Sequence, residues 1–182
     1  MKKVIVFLAD GLEECEALLT VDILRRAGCL VTTASVTGKK EITSSHNVTF
    51  MADTLAETVD FEEADMIFLP GGMPGTENLG KSSIVKEQCR IFAESKLVAA
   101  ICAAPSVLAS LGLLEGKRAT CHPSFENKMA GAVTRGEQVE VSGNIITGRA
   151  LGASVQFSLE LVKILEGEAA AETVKKAICD VS

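Results

Sequence analysis

Apolar residues in this chain fall into short unbroken runs, separated by stretches in which they recur every three or four positions. Residues 4–9 (VIVFLA) are apolar throughout and rich in Val and Ile, the pattern of a strand covered on both faces. Residues 13–27 follow with Ala17, Val21 and Leu24 on one helical face and Gly28 as the stop. Residues 30–36 and 65–69 repeat the strand pattern, and 48–51 form a shorter candidate. Residues 82–95 predict a helix with Ile84, Val85, Cys89 and Phe92 inward and Ser82 or Ser83 as its cap. Residues 97–101 predict a strand and 103–111 a helix; a short strand ends over 119–121. Ser142-Gly143-Asn144, between the strand-like segments 138–141 and 145–147, signals a hairpin, and helices over 153–165 and 169–178 close the chain.

Strands alternating with helices imply βαβ units and a mostly parallel sheet covered on both faces, an α/β fold. In such sheets small molecules bind beyond the carboxyl ends of the strands, where the strand order reverses. Attention therefore falls on residues 10–16, 70–75, 102–105 and 121–123. All four prolines (70, 74, 105 and 123) lie in these segments.

Length and composition narrow the function. The 182 residues fit one domain spanning 1–182, without repeats or low-complexity tracts. A net charge of −6, with no Trp or Tyr, argues against a nucleic-acid partner. Residues 97–114 carry no charge, but Pro105, Ser106, Ser110 and Gly112 interrupt them, so a buried strand and packed helix explain them better than a membrane span. The apolar run at the N-terminus is too short for a secretory signal, and acids follow at once. The six cysteines form no C-x-x-C pair, which predicts reduced thiols and a cytoplasmic location. Only two histidines are present and no ligand pair has metal spacing, so no metal is expected.

Cys102 carries the strongest chemical signal. It sits between strand 97–101 and the helix expected from Ala103, at a strand-to-helix elbow that would lift the thiol in front of free backbone N–H groups. A helix N-terminus can bring a cysteine pKa into the range of about 3.5–7.5, so a thiolate at neutral pH is the expectation. Asp10 to Glu16 holds four acids in seven positions. Acids in a first helical turn offset the helix dipole, and spacing does not say which one turns toward the crevice. A carboxyl buried there, as at Glu16, would have a raised pKa and could move a proton. Pro70-Gly71-Gly72 after a strand suits a tight turn or N–H groups that hold an oxyanion. His122 is a candidate base for a thiol or an ordinary loop residue. His46 reads as a loop residue. Gly75 to Ser82 fits the phosphate-loop pattern G-x-x-x-x-G-K-[ST], but five residues separate it from the preceding strand and Glu77 would put a negative charge in the cradle, so nucleotide binding is not expected.

Taken in order, Gly11-x-Glu13-Glu14-x-Glu16, residues 21–28 (VDILRRAG), Leu69-Pro70-Gly71-Gly72, residues 99–105 (AAICAAP) and His122-Pro123 resemble the ThiJ/PfpI superfamily, and within it the DJ-one branch. The resemblance covers essentially the whole chain. It implies a flavodoxin-like three-layer sandwich with a nucleophile elbow and a homodimer. The family's reactive cysteine matches Cys102, its protonated glutamate Glu16, its nearby histidine His122, and its oxyanion N–H donors Gly72 and Ala103. It also implies a small aldehyde or dicarbonyl substrate, no cofactor, and one of three activities: glyoxalase or deglycase, redox sensing with chaperone-like protection, or a peptidase of the PfpI kind. The helical segment 168–178 resembles the extra helix of this branch and tilts the reading away from peptidase. Two departures bear on anion binding near the dimer interface and on the shape of the pocket rim: His46 stands where the branch often has Arg, and Ala150-Leu151-Gly152 replaces a Gly-Pro-Gly loop.

Overall fold

The computed structural model describes residues 1–180. The elements, in order, are β1 (Lys3–Leu8), α1 (Glu14–Arg26), β2 (Leu30–Ser35), β3 (Glu41–Thr43), β4 (Thr49–Met51), β5 (Thr54–Leu55), β6 (Met66–Leu69), α2 (Gly75–Lys81) and α3 (Ser83–Ser95). They continue with β7 (Leu97–Ile101), α4 (Pro105–Ser110), β8 (Arg118–Ala119), β9 (Val133–Thr134), β10 (Val139–Ser142), β11 (Ile145–Gly148), α5 (Ser154–Glu166) and α6 (Glu168–Ala177). Seven strands form the central sheet in the order β10-β11-β7-β6-β1-β2-β5, parallel except for the β10–β11 hairpin.

Strand alternation divides the core into two layers. Val4, Val6 and Leu8 of β1, Phe68 of β6 and Ile101 of β7 join α1, α5 and α6 on one face. Ile5 and Phe7 of β1, Ile67 and Leu69 of β6 and Val98 of β7 join α2, α3 and α4 on the other. Successive side chains point to opposite faces of a strand, so a strand covered on both sides must be apolar at every position. Phe68 and Phe157 meet with ring centroids 5.6 Å apart and fasten α5 to the sheet.

The main difference from the sequence reading lies in the short elements. Residues 48–51 do contribute a strand, but β4 pairs with β3 in a separate antiparallel ribbon. The helix expected from Ala103 begins at Pro105, because residues 102–104 form a turn. The phosphate-loop pattern folds as helix α2: the Thr76 N–H is spent on Gly72 O and the Asn78 N–H on Pro74 O, which leaves no open cradle. No helix among the described residues is long and apolar enough to cross a membrane; residues 97–114 form β7, a turn and α4.

The chain runs from β1 to β2 on one side and later returns to β6 on the other side of β1. The reversal places the carboxyl ends of β1, β6 and β7 side by side, with the loops that follow them around one crevice.

Candidate active site

Three loops build the crevice and are tied to one another through backbone. The Glu13 N–H donates to Gly71 O at 2.9 Å, and the Gly75 N–H to Gly11 O at 3.0 Å, so the loop after β1 lies flat on the loop after β6. This contact needs glycine. A Cβ on Gly72, whose φ is +90°, would fall 2.2 Å from Glu13 N.

Cys102 follows β7 directly. Its backbone has φ +64°, a left-handed conformation that costs a side-chain-bearing residue of the order of 1–3 kcal/mol. Both sides of the residue are pinned: its N–H donates to Gly148 O at 2.9 Å and its carbonyl accepts from the His122 N–H at 2.8 Å. This fixed turn swings the partly buried Sγ out of the sheet and into the crevice.

Glu16 comes from the first turn of α1. Its neighbours Glu13 and Glu14 stay at the helix start, where Glu13 caps the helix by accepting from the Cys15 N–H at 3.2 Å. Glu16 is one helical step further on and turns inward, 1% exposed. Its Oε2 accepts from the Gly71 N–H at 3.0 Å, and its carboxyl hydrogen-bonds Cys102. Burial raises the Glu16 pKa from 4.5 to about 7, assisted by the charge of Glu13, while the contacts to Cys102, Gly71 and the Leu151 backbone oppose the rise. Thr20 Oγ1 donates to Glu16 O at 2.8 Å and lies 2.9 Å from Ser158 Oγ, which couples this turn of α1 to α5.

The thiol differs from its expected state. Burial pushes Cys102 up to about 12, and the Glu16 charge and hydrogen bond add to the rise. The backbone N–H groups of Gly72 and Ala103 pull the other way without prevailing. Helix α4 starts too late and is too short, at six residues, to hold a thiolate by its dipole. Above about pH 7, once Glu16 is ionised, Cys102 and Glu16 therefore hold one proton between them, resting on sulfur, with Glu16 placed to receive it.

His122 reaches the same cavity with a different attachment. Its Nδ1 accepts from the Ser124 N–H at 3.2 Å and lies 2.7 Å from Ser124 Oγ, which puts the ring proton on Nε2. The cavity measures about 390 Å³, and its lining includes Glu16, Cys102, Gly72, Ala103 and His122. Tertiary structure thus gathers all five residues singled out from sequence. Of the altered rim, Ala150, Leu151 and Gly152 also line the cavity, with Met73 and Phe125 as further apolar wall.

His46, read from sequence as a plain loop residue, also lines this cavity. Its Nδ1 lies 3.2 Å from Glu13 Oε2 and 3.2 Å from Glu14 Oε1. The hydrogen bond to Glu14, and the charges of Glu14 and Glu13, raise the His46 pKa. The Nδ1 and carboxylate oxygens of these three residues all lie within 4.8 Å of one another, so one imidazole nitrogen serves both acids. The spacing of residues 41–51 carries no signal for this placement, because the ribbon of β3 and β4 that holds His46 pairs only in three dimensions.

A parallel α/β sheet with a strained cysteine at a strand-to-turn elbow and a buried glutamate on its sulfur defines a class of cysteine-centred α/β proteins. Comparison narrows the class. The profile of the DJ-1/PfpI family matches residues 2–164, and the chain belongs to that family. It is 41% identical over 173 residues to Protein DJ-1 homolog B of Arabidopsis thaliana, which covers 92% of this chain and 39% of that longer protein. It is 30% identical over 173 residues to the Caenorhabditis elegans protein named glutathione-independent glyoxalase DJR-1.2, covering 93% of this chain and 91% of the relative. The solved structure of oxidized Toxoplasma gondii DJ-1 superposes with a TM-score of 0.96 at 34% identity, over 100% of both chains.

Proposed function

We propose that this protein is a cysteine-dependent glyoxalase or deglycase acting on reactive dicarbonyls such as methylglyoxal and glyoxal, or on their adducts, without glutathione and without a cofactor. The observation that carries the reading is the contact between buried Glu16 and the Cys102 sulfur, with the Gly72 and Ala103 N–H groups directed at the same atom. The glyoxalase name of the nematode relative supports it.

With methylglyoxal, Glu16 takes the thiol proton as the sulfur bonds to the aldehyde carbon, giving a hemithioacetal. Gly72 and Ala103 N–H groups steady the oxygen, which then receives the proton from Glu16. The freed Glu16 carboxylate removes the hydrogen on the former aldehyde carbon and returns it to the neighbouring carbon. The hydroxyl proton passes to the oxygen of the neighbouring carbon, so the first carbon is oxidised to a thioester and the second reduced to an alcohol. Water, oriented by the His122 Nε2–H and deprotonated by the Glu16 carboxylate, cleaves the thioester to lactate and restores the thiol, so one dicarbonyl and one water give one hydroxy acid. A deglycase would present a hemiaminal to the same sulfur. The assay is lactate formation from methylglyoxal without glutathione. Cys102→Ser is expected to abolish it, and wild-type conversion by that variant would sink the reading.

A second reading is favoured by the oxidized form of the Toxoplasma gondii relative and by Glu16: a redox sensor with chaperone-like action, in which peroxide converts Cys102 to a sulfinate hydrogen-bonded by the glutamic acid. Two added oxygens on the Cys102 peptide after mild peroxide, with negligible dicarbonyl turnover, would favour it. Peptide cleavage under matched conditions tests the PfpI-type peptidase. The proposal includes a homodimer in the cytoplasm. Leu18, Val48, Met51 and Leu151 are exposed apolar residues that an interface would cover, and sedimentation equilibrium measures the oligomer.

A further inference from the structure

The cavity wall facing Cys102 carries charge of one dominant sign. Glu13 contributes a carboxylate whose side chain is only 10% exposed and Glu16 adds a second acid, while Glu14 stands outside the lining, 3.2 Å from His46 Nδ1. Against them stands one imidazole, His46, exposed at 68%. No Lys or Arg lines the cavity among the described residues. The remaining wall is largely apolar, with Met73, Phe125 and Leu151. The Glu13 side chain, 10% exposed, is therefore less screened than a surface carboxylate. The charges acting on the reacting pair follow suit: Glu13 acts on Glu16, and Glu16 on Cys102.

We propose that Glu13 and His46 set the charge selectivity of this cavity, with Glu13 excluding electrophiles that carry a carboxylate or phosphate and His46 limiting that exclusion. The site then admits uncharged carbonyl compounds and rejects anionic ones of equal size. Glu13 is the stronger determinant because its carboxylate is held in place twice. It caps α1 through the Cys15 N–H at 3.2 Å and meets His46 Nδ1 at 3.2 Å. His46 hangs from the exposed loop between β3 and β4, so its partial positive charge is better screened. A carboxylate-bearing aldehyde would have to bring its charge to the mouth of a pocket already holding Glu13 and the single negative charge that the Cys102–Glu16 pair carries above about pH 7.

The substrate consequence rests on the proposed carbonyl chemistry, but the test does not. Iodoacetamide and iodoacetate are neutral and anionic reagents of nearly the same size. In either reaction the Cys102 sulfur bonds to the methylene carbon, iodide leaves and the thiol proton goes to solvent. The ratio of the two rates at the Cys102 peptide, read by mass spectrometry, cancels any change in thiol pKa and reports the field at the sulfur. The expected wild-type ratio exceeds that of N-acetylcysteine amide by about tenfold. Glu13→Gln should lower it about fivefold, and His46→Gln should raise it about twofold near neutral pH, as expected for one charge removed at several ångströms in a partly screened site. Opposite signs distinguish a field from a general disturbance of the pocket, and the His46 change lies on the surface, where folding tolerates it. A wild-type ratio equal to that of the free thiol, or two variants that move the ratio in the same direction, overturns the proposal. Methylglyoxal turnover measured in parallel reports on the proposed function separately: loss of turnover with the ratios as expected refutes the chemistry and leaves the selectivity standing.

Discussion

The Gly71 N–H donates to Glu16 Oε2 at 3.0 Å, and the Gly71 α-carbon faces the space in which that carboxyl meets Cys102. A Cβ at this position would lie 2.6 Å from Cys102 Cβ, 2.6 Å from Glu16 Oε2 and 3.0 Å from Ile101 O. One absent side chain thus makes room for the acid–thiol contact, and one backbone donor aims the acid.

Gly71→Ala is therefore expected to separate Glu16 from Cys102. Neither neighbour can yield: one is pinned through backbone and the other is buried. Stability should fall by about 1–3 kcal/mol, as for overpacking elsewhere, and turnover by on the order of a hundredfold. Urea denaturation and kcat/KM for methylglyoxal measure the two effects. A variant with wild-type kcat/KM would show that the close approach is not needed.

The Glu16 pKa makes stability depend on pH in a direction opposite to that of a salt-bridged acid. Between 4.5 and about 7 the native protein keeps a proton that the unfolded chain has already lost. The native state binds more protons, so stability falls as pH rises through this window. The contribution is fully present below 4.5 and lost above about 7, and amounts to roughly 3 kcal/mol. Glu16→Gln removes the titration, so its urea midpoint should be flatter across the same range. Parallel profiles for the two proteins would contradict the buried-acid assignment.

Cys102 alkylation gives a second pH signature. The Glu16 charge and hydrogen bond both hold the thiol pKa up, so Glu16→Gln should form thiolate at lower pH than wild type. The pH dependence of iodoacetamide labelling at the Cys102 peptide reads this directly. A midpoint that rises in the variant would mean that Glu16 serves the sulfur mainly as a hydrogen-bond donor to thiolate.

His122 and Ser124 should differ in their effect. His122→Ala removes the Nε2–H proposed to orient the hydrolytic water and should lower turnover by about a hundredfold. Ser124→Ala removes only the Oγ contact at 2.7 Å and leaves the N–H donor to Nδ1, so a loss of about threefold is expected. Equal losses in the two variants would reduce His122 to a structural cap of its 3-10 turn.

Thr20 offers a test of how α5 supports the site. Thr20→Val keeps the shape but removes the hydroxyl between Glu16 O and Ser158 Oγ, at an expected cost of about 1 kcal/mol in stability. Thermal unfolding measures it, and an unchanged midpoint would mean that packing alone holds the two helices together.

Periodicity along the chain determined the framework. Strand β7, and β1 from Val4 onward, are apolar at every position because helices cover both faces, and that demand is written locally in the residues. The elbow at Cys102 was legible for the same reason, since a buried strand followed at once by Ala and Pro leaves few conformations. Two-residue elements such as β5 and β9 escaped because their pairing partners lie 15 to 20 residues away in sequence, whereas β8 was anticipated within a residue or two of its end. The state of the thiol was decided only by tertiary structure. Proximity to a helix start argued for an ionised sulfur, but α4 begins three residues later and the sulfur lies against Glu16 inside a partly closed cavity. Desolvation and a neighbouring charge depend on what surrounds an atom in space. The same holds for His46, which nothing in its own loop marks as part of the wall opposite Cys102. Which residues are apolar, and where the chain must turn, is local information; the electrostatics of the site arise from three loops that meet only when the sheet is complete.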